Sequence, residues 1–230
     1  MTRFEIKLVA AEADLARVRA ELRLLPTALR QLHPPRTVQS VYFDTREGQA
    51  LADNLAGISE RRKFRLRWYG EETTTVTGHF ECKQRYSGLG DKQLFELAEP
   101  VRVAGNTRVQ LGRDLQRLLP KAAAMHLDGR EPAQWIRYHR EYLGSADGAL
   151  RVTIDRDLAA FDQRFDFLLS CRKRTPLPPL LVVEIKAAAE QREAIERFLQ
   201  GVDLPPSKCS KFVLASMPSE APLASGHFGA

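Results

Sequence analysis

Arg61, Lys63, Arg65 and Arg67 take every second position of the stretch Arg61-Arg62-Lys63-Phe64-Arg65-Leu66-Arg67-Trp68-Tyr69. Side chains alternate across a β-strand. The four cations therefore share one face, and Phe64, Leu66 and Trp68 share the other. Like charges at that spacing repel, so the row must stand in water or among the oxygens of a polyanion. The same phase recurs along the chain. Glu5 and Lys7 oppose Phe4, Ile6 and Leu8; Glu81, Lys83 and Arg85 oppose Phe80, Cys82 and Gln84. Arg151, Thr153 and Asp155 oppose Val152 and Ile154, and Glu184 and Lys186 oppose Leu181, Val183 and Ile185. Arginine offers phosphate oxygens a planar fork and lysine a point charge. Carboxylates among them offer oxygen ligands to a hard divalent ion. Phosphoryl transfer asks for this kind of set, since it needs positioning and charge neutralisation more than a nucleophilic side chain. Taken alone, the cationic strand favours a solvated face somewhat over a phosphate site.

Other chemistries lack their residues. Ser207 and Ser210 have no nearby His or Asp to make either a nucleophile. His33, His79, His126, His139 and His227 show no ligand spacing, nor do Cys82, Cys171 and Cys209. Asp155 reads as an ion-pair partner that orients an arginine, and Trp68 as core. Tyr69 is a lone aromatic, thin support for base stacking.

The elements that must position these residues follow from periodicity. Residues 3–9 alternate as a strand, and 11–25 carry Leu15, Val18, Leu22 and Leu25 on one helical stripe. Strands are expected over 38–45, 61–69 and 73–86, followed by a loop through Gly88 and Gly90 that delivers Asp91 and Lys92. Helices are expected over 108–119 and 122–127. Strands over 135–143 and 150–156 flank the hairpin signal Asp147-Gly148. An exposed basic, proline-rich loop spans 172–179, a strand 181–186, and a helix 188–200 with Gly201 as its stop. No repeat or interdomain linker interrupts the pattern. Residues 1–216 read as one domain and 217–230 as a disordered tail. Strands with one apolar and one charged face, separated by amphipathic helices, imply an α+β fold. In an open sheet the charged face would be the wet side; in a closed barrel it would be the interior, with the helices covering the outside.

Composition bounds the class. The 230 residues are 43% hydrophobic and 28% charged, with a formal net charge of +6, which favours an anionic partner. No stretch is long and apolar enough to cross a bilayer. The N-terminus lacks a signal-peptide core. Three cysteines without pairing or metal spacing fit free thiols in a cytoplasmic setting. Nucleic-acid binding is disfavoured, because neither interleaved exposed aromatics nor a groove-reading motif is present.

Six segments in order resemble the VTC domain, the polyphosphate polymerase domain of the vacuolar transporter chaperone complex, within the triphosphate tunnel metalloenzyme superfamily. They are Ser40-Val41-Tyr42-Phe43-Asp44-Thr45, Arg65-Leu66-Arg67-Trp68-Tyr69-Gly70, Glu81-Cys82-Lys83, Arg151-Val152-Thr153-Ile154-Asp155, Val183-Glu184-Ile185-Lys186, and Ser207-Lys208-Cys209-Ser210-Lys211-Phe212. The resemblance implies a closed antiparallel barrel tunnel of about eight strands with helices packed outside, which transfers the γ-phosphate of ATP to a growing polyphosphate chain. It implies a divalent metal, Mn2+ or Mg2+, as cofactor. Carried over residue by residue, it puts phosphate binding on Lys7, Arg65, Arg67, Lys83, Arg140, Arg151, Lys208 and Lys211. Lys92 falls on a further tunnel lysine, Lys186 is expected to enter beside Glu184, Ser210 is read as a hydrogen-bond donor to phosphate, and Arg65, Arg67 and Lys83 are the residues expected to act in the transfer. Glu184 falls on the metal-binding glutamate, with Glu5 and Glu81 as the further carboxylate candidates.

The chain departs from the family in two ways. It shows neither the SPX domain nor the membrane spans of the eukaryotic complexes, so export would need a separate membrane protein. The related CYTH branch opens with a Glu-x-Glu-x-Lys strand, where this chain has Arg3-Phe4-Glu5-Ile6-Lys7. That departure favours the polymerase branch. Two alternatives stay open: a metal-dependent triphosphatase of the same superfamily, and a polyphosphate-binding module without turnover.

Overall fold

The charged and apolar faces separate as the alternation requires. In a computed structural model, which describes residues 3–86 and 89–217, strand β3 (Arg61–Tyr69) buries Phe64, Leu66 and Trp68 on its convex side. Lys63, Arg65 and Arg67 lie on the concave side. β3 belongs to one antiparallel sheet of eight strands. The others are β1 (Arg3–Ala11), β2 (Arg30–Asp44), β5 (His79–Tyr86), β6 (Leu89–Glu96), β8 (Glu131–Gly144), β9 (Leu150–Asp162) and β10 (Leu180–Ala188). The order is β1-β10-β9-β8-β2-β3-β5-β6. A small ribbon pairs β4 (Thr75–Val76) with β7 (Val101–Arg102).

Helices cover the convex side in two groups. Helix α1 (Leu15–Leu24) lays Val18 and Leu22, and α5 (Arg192–Gln200) lays Ile195 and Phe198, against Leu8, Val152, Ile154, Val183 and Ile185. Helix α3 (Arg108–Leu118), capped by the Thr107 hydroxyl, and the short α4 (Lys121–Ala124) cover Val41, Phe64, Leu66, Trp68, Phe80 and Trp135 through Leu111, Leu115 and Ala123. At about 25 cal/mol per Å² of apolar area, these layers are the main source of stability.

A third group lies on the concave side. Helix α6 (Lys211–Ser216) turns Phe212 and Ala215 onto Val38, Tyr42, Ile136, Tyr138 and Ala160. Phe212 stacks on Tyr42 at 5.1 Å between ring centroids. Helix α2 (Gln49–Leu55) packs beside it through Ala50. The Asp44 carboxylate fixes α2 by accepting from the N–H groups of Ala50 and Leu51 at 2.8 and 3.1 Å. These two helices plug one end of the trough.

The sheet is a strongly curled half-barrel, not the closed barrel expected from the sequence. Among the described residues no backbone pairing joins β6 to β1. The outer edge of β1 is taken by another segment. Leu8 bridges to Pro206, and the Ser207 N–H donates to the Lys7 carbonyl at 2.7 Å. Proline has no N–H to extend such a ladder, so the segment occupies the edge without becoming a strand. Register shifts between β2 and β8, and between β8 and β9 at Arg137/His139, bend the sheet.

Other expectations need correction. The stretch read as one strand over 73–86 is broken into β4 and β5. A Cβ on Gly78 would lie 2.3 Å from the Arg67 carbonyl oxygen, so only glycine permits this approach. Asp91 and Lys92 stand on a strand, β6, not on a loop, and Gly90 pairs with Arg85. Helices α2 and α6 were not expected. Ser87, Gly88 and the tail from Pro218 lie outside the described residues.

Candidate functional site

The concave face holds four carboxylates, each gripped by cations. One knot centres on Glu81 of β5, only 1% exposed. Arg65 Nε donates to it at 2.7 Å, Lys92 Nζ at 3.0 Å, and Arg67 Nη1 lies at 3.5 Å. His79 Nε2 lies 2.9 Å away. The register explains the grouping, since Arg65 faces Glu81 directly across β3 and β5. Arg65 also donates to the Tyr42 hydroxyl at 2.6 Å, and Arg67 to the Ser40 and Tyr138 hydroxyls at 3.2 Å each. Burial pushes the Glu81 carboxyl up. Arg65, His79, Arg67 and Lys92 outweigh it and hold the group far below the usual carboxylate range.

Asp155 of β9 makes the second knot. It is fully buried and accepts two bonds from Arg140, at 2.6 and 2.7 Å, and one ion pair from Lys211 at 2.6 Å. The bidentate Arg140 contact is the arginine-orienting role expected of Asp155. Burial raises its pKa, but Lys211 and Arg140 bring the net shift down.

Glu5 and Glu184 form a checkerboard with Lys7 and Lys186. Across β1 and β10, Glu5 faces Lys186 and Lys7 faces Glu184. Lys186 reaches Glu184 at 2.5 Å; Lys7 and Lys83 reach Glu5 at 3.3 and 3.1 Å. Burial raises the pKa of Glu184, yet Lys186, Lys7, Arg140 and Lys211 hold it well below the ordinary value. Burial and the Glu184 charge push Glu5 up, and Lys83, Lys7 and Lys186 more than offset them.

The expected site residues divide accordingly. Lys7, Arg65, Arg67, Lys83, Lys92, Arg140, Lys186, Ser210 and Lys211 converge on one trough with Glu5, Glu81, Asp155 and Glu184. Arg151 stands at its margin, exposed, facing Lys186 across the ladder. Lys208 is exposed on the segment beside β1. Five participants were not assigned from sequence: Ser40, Lys63, Tyr42, Tyr138 and His79. Lys63 was in phase with Arg65 and Arg67, and Ser40 and Tyr42 alternate within one of the matched segments. His79 gave no signal, because its partner Glu81 is two positions away on the same strand.

No cluster of three or more His, Cys, Asp or Glu suited to a metal occurs among the described residues. Of the three carboxylates considered for that role, Glu81 does not fit: it is only 1% exposed and is closed in by Arg65, Arg67, Lys92 and His79. Glu5 and Glu184 fit better. They lie on adjacent strands and the same face, close enough for each to feel the other's charge. Their oxygens are of the kind that hard divalent ions take as ligands.

Among the described residues no helix is long and apolar enough to cross a membrane. Two solved structures described as proposed adenylate cyclases are similar in fold. That of Vibrio parahaemolyticus has a TM-score of 0.52 and 10% identity, covering 94% of this chain and 99% of its own. That of Bacillus halodurans has a TM-score of 0.48 and 12% identity, covering 91% and 97%. At 10% identity the likeness to the Vibrio parahaemolyticus structure speaks to fold alone. No curated protein matches the sequence. The VTC domain family model matches residues 2–217, which spans every strand of the trough and α6, and the chain belongs to that family.

Proposed function

We propose that the chain is an ATP-dependent polyphosphate polymerase working in the cationic trough. One observation supports this above the others: basic side chains from β1, β3, β5, β6, β8, β10 and α6 face one concave surface that α6 closes at one end. A single phosphate would not use so long a surface; a row of phosphates would. In the proposed reaction a terminal oxygen of the chain attacks the γ-phosphorus of ATP in line. The bond from that phosphorus to the β-bridging oxygen breaks, and ADP leaves carrying the electron pair. Arg65, Arg67 and Lys83 neutralise the equatorial oxygens as charge develops on them. Lys7, Lys92, Arg140, Lys186, Ser210 and Lys211 hold the flanking phosphates, with Arg151 and Lys208 at the margin. A divalent ion, Mn2+ or Mg2+, would be held by Glu184 and Glu5 and would supply Lewis-acid neutralisation of phosphate charge.

The test is incubation of the pure protein with ATP and manganese, with and without a short primer, read as chains on a polyacrylamide gel. Folded protein that makes no chains defeats the proposal. Phosphate release without chain growth would instead mark a triphosphatase, and tight tripolyphosphate binding without turnover a binding module. Arg65→Ala or Arg67→Ala should reduce chain synthesis far more than Arg174→Ala in the basic loop.

A further inference from the structure

The arginines and lysines deepest in the trough already hold an internal carboxylate. Arg65, Arg67 and Lys92 hold Glu81; Arg140 and Lys211 hold Asp155; Lys186 holds Glu184; Lys7 and Lys83 share Glu5. Lys63 differs. Its ammonium donates to the Ser210 hydroxyl at 3.0 Å and lies 5.9 Å from the Phe212 ring centre. It has no carboxylate partner among the described residues.

We infer that Lys63 and Ser210, flanked by Lys7 and Lys83, form the seat taken by the first phosphoryl anion to enter the trough. The inference rests on the phosphate reading above and adds to it a residue and an order of occupancy. An entering anion meets least competition where no carboxylate stands. At Arg65 and Arg67 it must share or displace Glu81, whose charge the protein has placed there. At Lys63 it completes an unfinished pair.

The surroundings agree. The cations facing Lys63 come from three strands: Lys7 on β1, Arg61 and Arg65 on β3, and Lys83 on β5. Glu5, the carboxylate of β1, is divided between Lys7 and Lys83. Burial and these four charges push Lys63 down to about 7. Near neutral pH the empty seat therefore holds Lys63 partly deprotonated, and an arriving anion restores its proton. Binding of the first phosphoanion should take up protons.

Calorimetry with inorganic tripolyphosphate at pH 7, in two buffers of different ionisation enthalpy, measures that uptake. Lys63→Arg, whose guanidinium is always charged, is the reference that isolates it from protons exchanged by the ligand. Wild type should take up more protons than Lys63→Arg, with dissociation constants within about threefold of each other. Lys63→Met should weaken binding more than about tenfold, and Arg174→Ala should leave it unchanged. Equal proton uptake by wild type and Lys63→Arg would overturn the inference. So would unaltered affinity in Lys63→Met shown by circular dichroism to be folded. Should Lys63→Met not fold, the comparison with Lys63→Arg still decides. If wild type binds no tripolyphosphate at all, the phosphate reading falls, and this one with it.

Discussion

Lys83 of β5 reaches Glu5 of β1 at 3.1 Å although the two strands share no backbone hydrogen bond. The contact spans the open side of the half-barrel by side chains alone. Both are partly in water, at 45% and 29% side-chain exposure. Exposed pairs contribute about 0–1 kcal/mol and are screened by salt. Glu5→Gln should therefore lower unfolding free energy by less than about 1 kcal/mol, a loss that vanishes in high salt. Denaturant titrations at low and high salt check this. A salt-insensitive loss of several kcal/mol would mean that this pair, and not the bulged β2–β8–β9 sheet with its plug α6, maintains the curl.

Glu81 is the opposite case. Glu81→Gln removes the counter-charge of Arg65, Arg67 and Lys92 at a buried point. Breaking a buried pair from one side costs about 3–5 kcal/mol. Thermal melts should show that loss, and tripolyphosphate should recover more stability in the mutant than it adds to wild type. The wild-type dependence on acid has a definite sign. The folded-state pKa of Glu81 is depressed. Its contribution is full above the unfolded carboxylate value, near 4.5, and is lost as pH falls toward the folded value. Glu81→Gln should flatten the acid limb of the stability curve.

Lys63 gives a dependence at higher pH. Its pKa falls from 10.5 to about 7 on folding. Between those values the unfolded chain binds more protons, so stability rises with pH. Below about 7 the charged ammonium is disfavoured in full. Lys63→Met should accordingly raise the melting temperature of the free protein most at pH 6, and the advantage should shrink toward pH 10. A constant difference across that range would show that Lys63 does not titrate in the fold.

The alternation of charge and apolar residues made much of this site legible before any coordinates. Period-two patterning fixes which side of β1, β3, β5, β9 and β10 is wet, and it put Arg65, Arg67, Lys83 and Glu184 on one face. Pairing of charges was less legible, because it depends on register. Asp155 was expected to orient an arginine, but nothing in the strand says that Glu81 meets Arg65 rather than a metal. Closure was misread for a related reason: whether β6 or Pro206-Ser207 takes the outer edge of β1 depends on distant backbone. Helix α6 escaped notice because six residues carry too little periodicity, although Ser210 before Phe212 and Ala215 fits a cap ahead of a short apolar face.

Glu184 separates metal binding from architecture. Lys186, its nearest partner, has a side chain 39% exposed, so losing the carboxylate would not strand a buried ammonium. Glu184 itself is only 8% exposed, and the positive field of Lys186, Lys7, Arg140 and Lys211 favours its charge. Glu184→Gln should lower the stability of the free protein, the loss fading in acid as the wild-type carboxylate takes a proton. That effect is expected whether or not a metal binds. The distinguishing quantity is the extra stabilisation that manganese gives to protein saturated with tripolyphosphate. With Glu184 as ligand, Glu184→Gln should remove most of that increment and keep the stabilisation by tripolyphosphate alone. Asp155→Asn, which unseats Arg140 and Lys211 without touching the proposed ligands, should preserve the manganese increment. Melts of the three proteins, with tripolyphosphate and with or without manganese, give the answer. An increment retained in Glu184→Gln would leave this carboxylate as a counter-ion for lysines and move the search for the metal to Glu5.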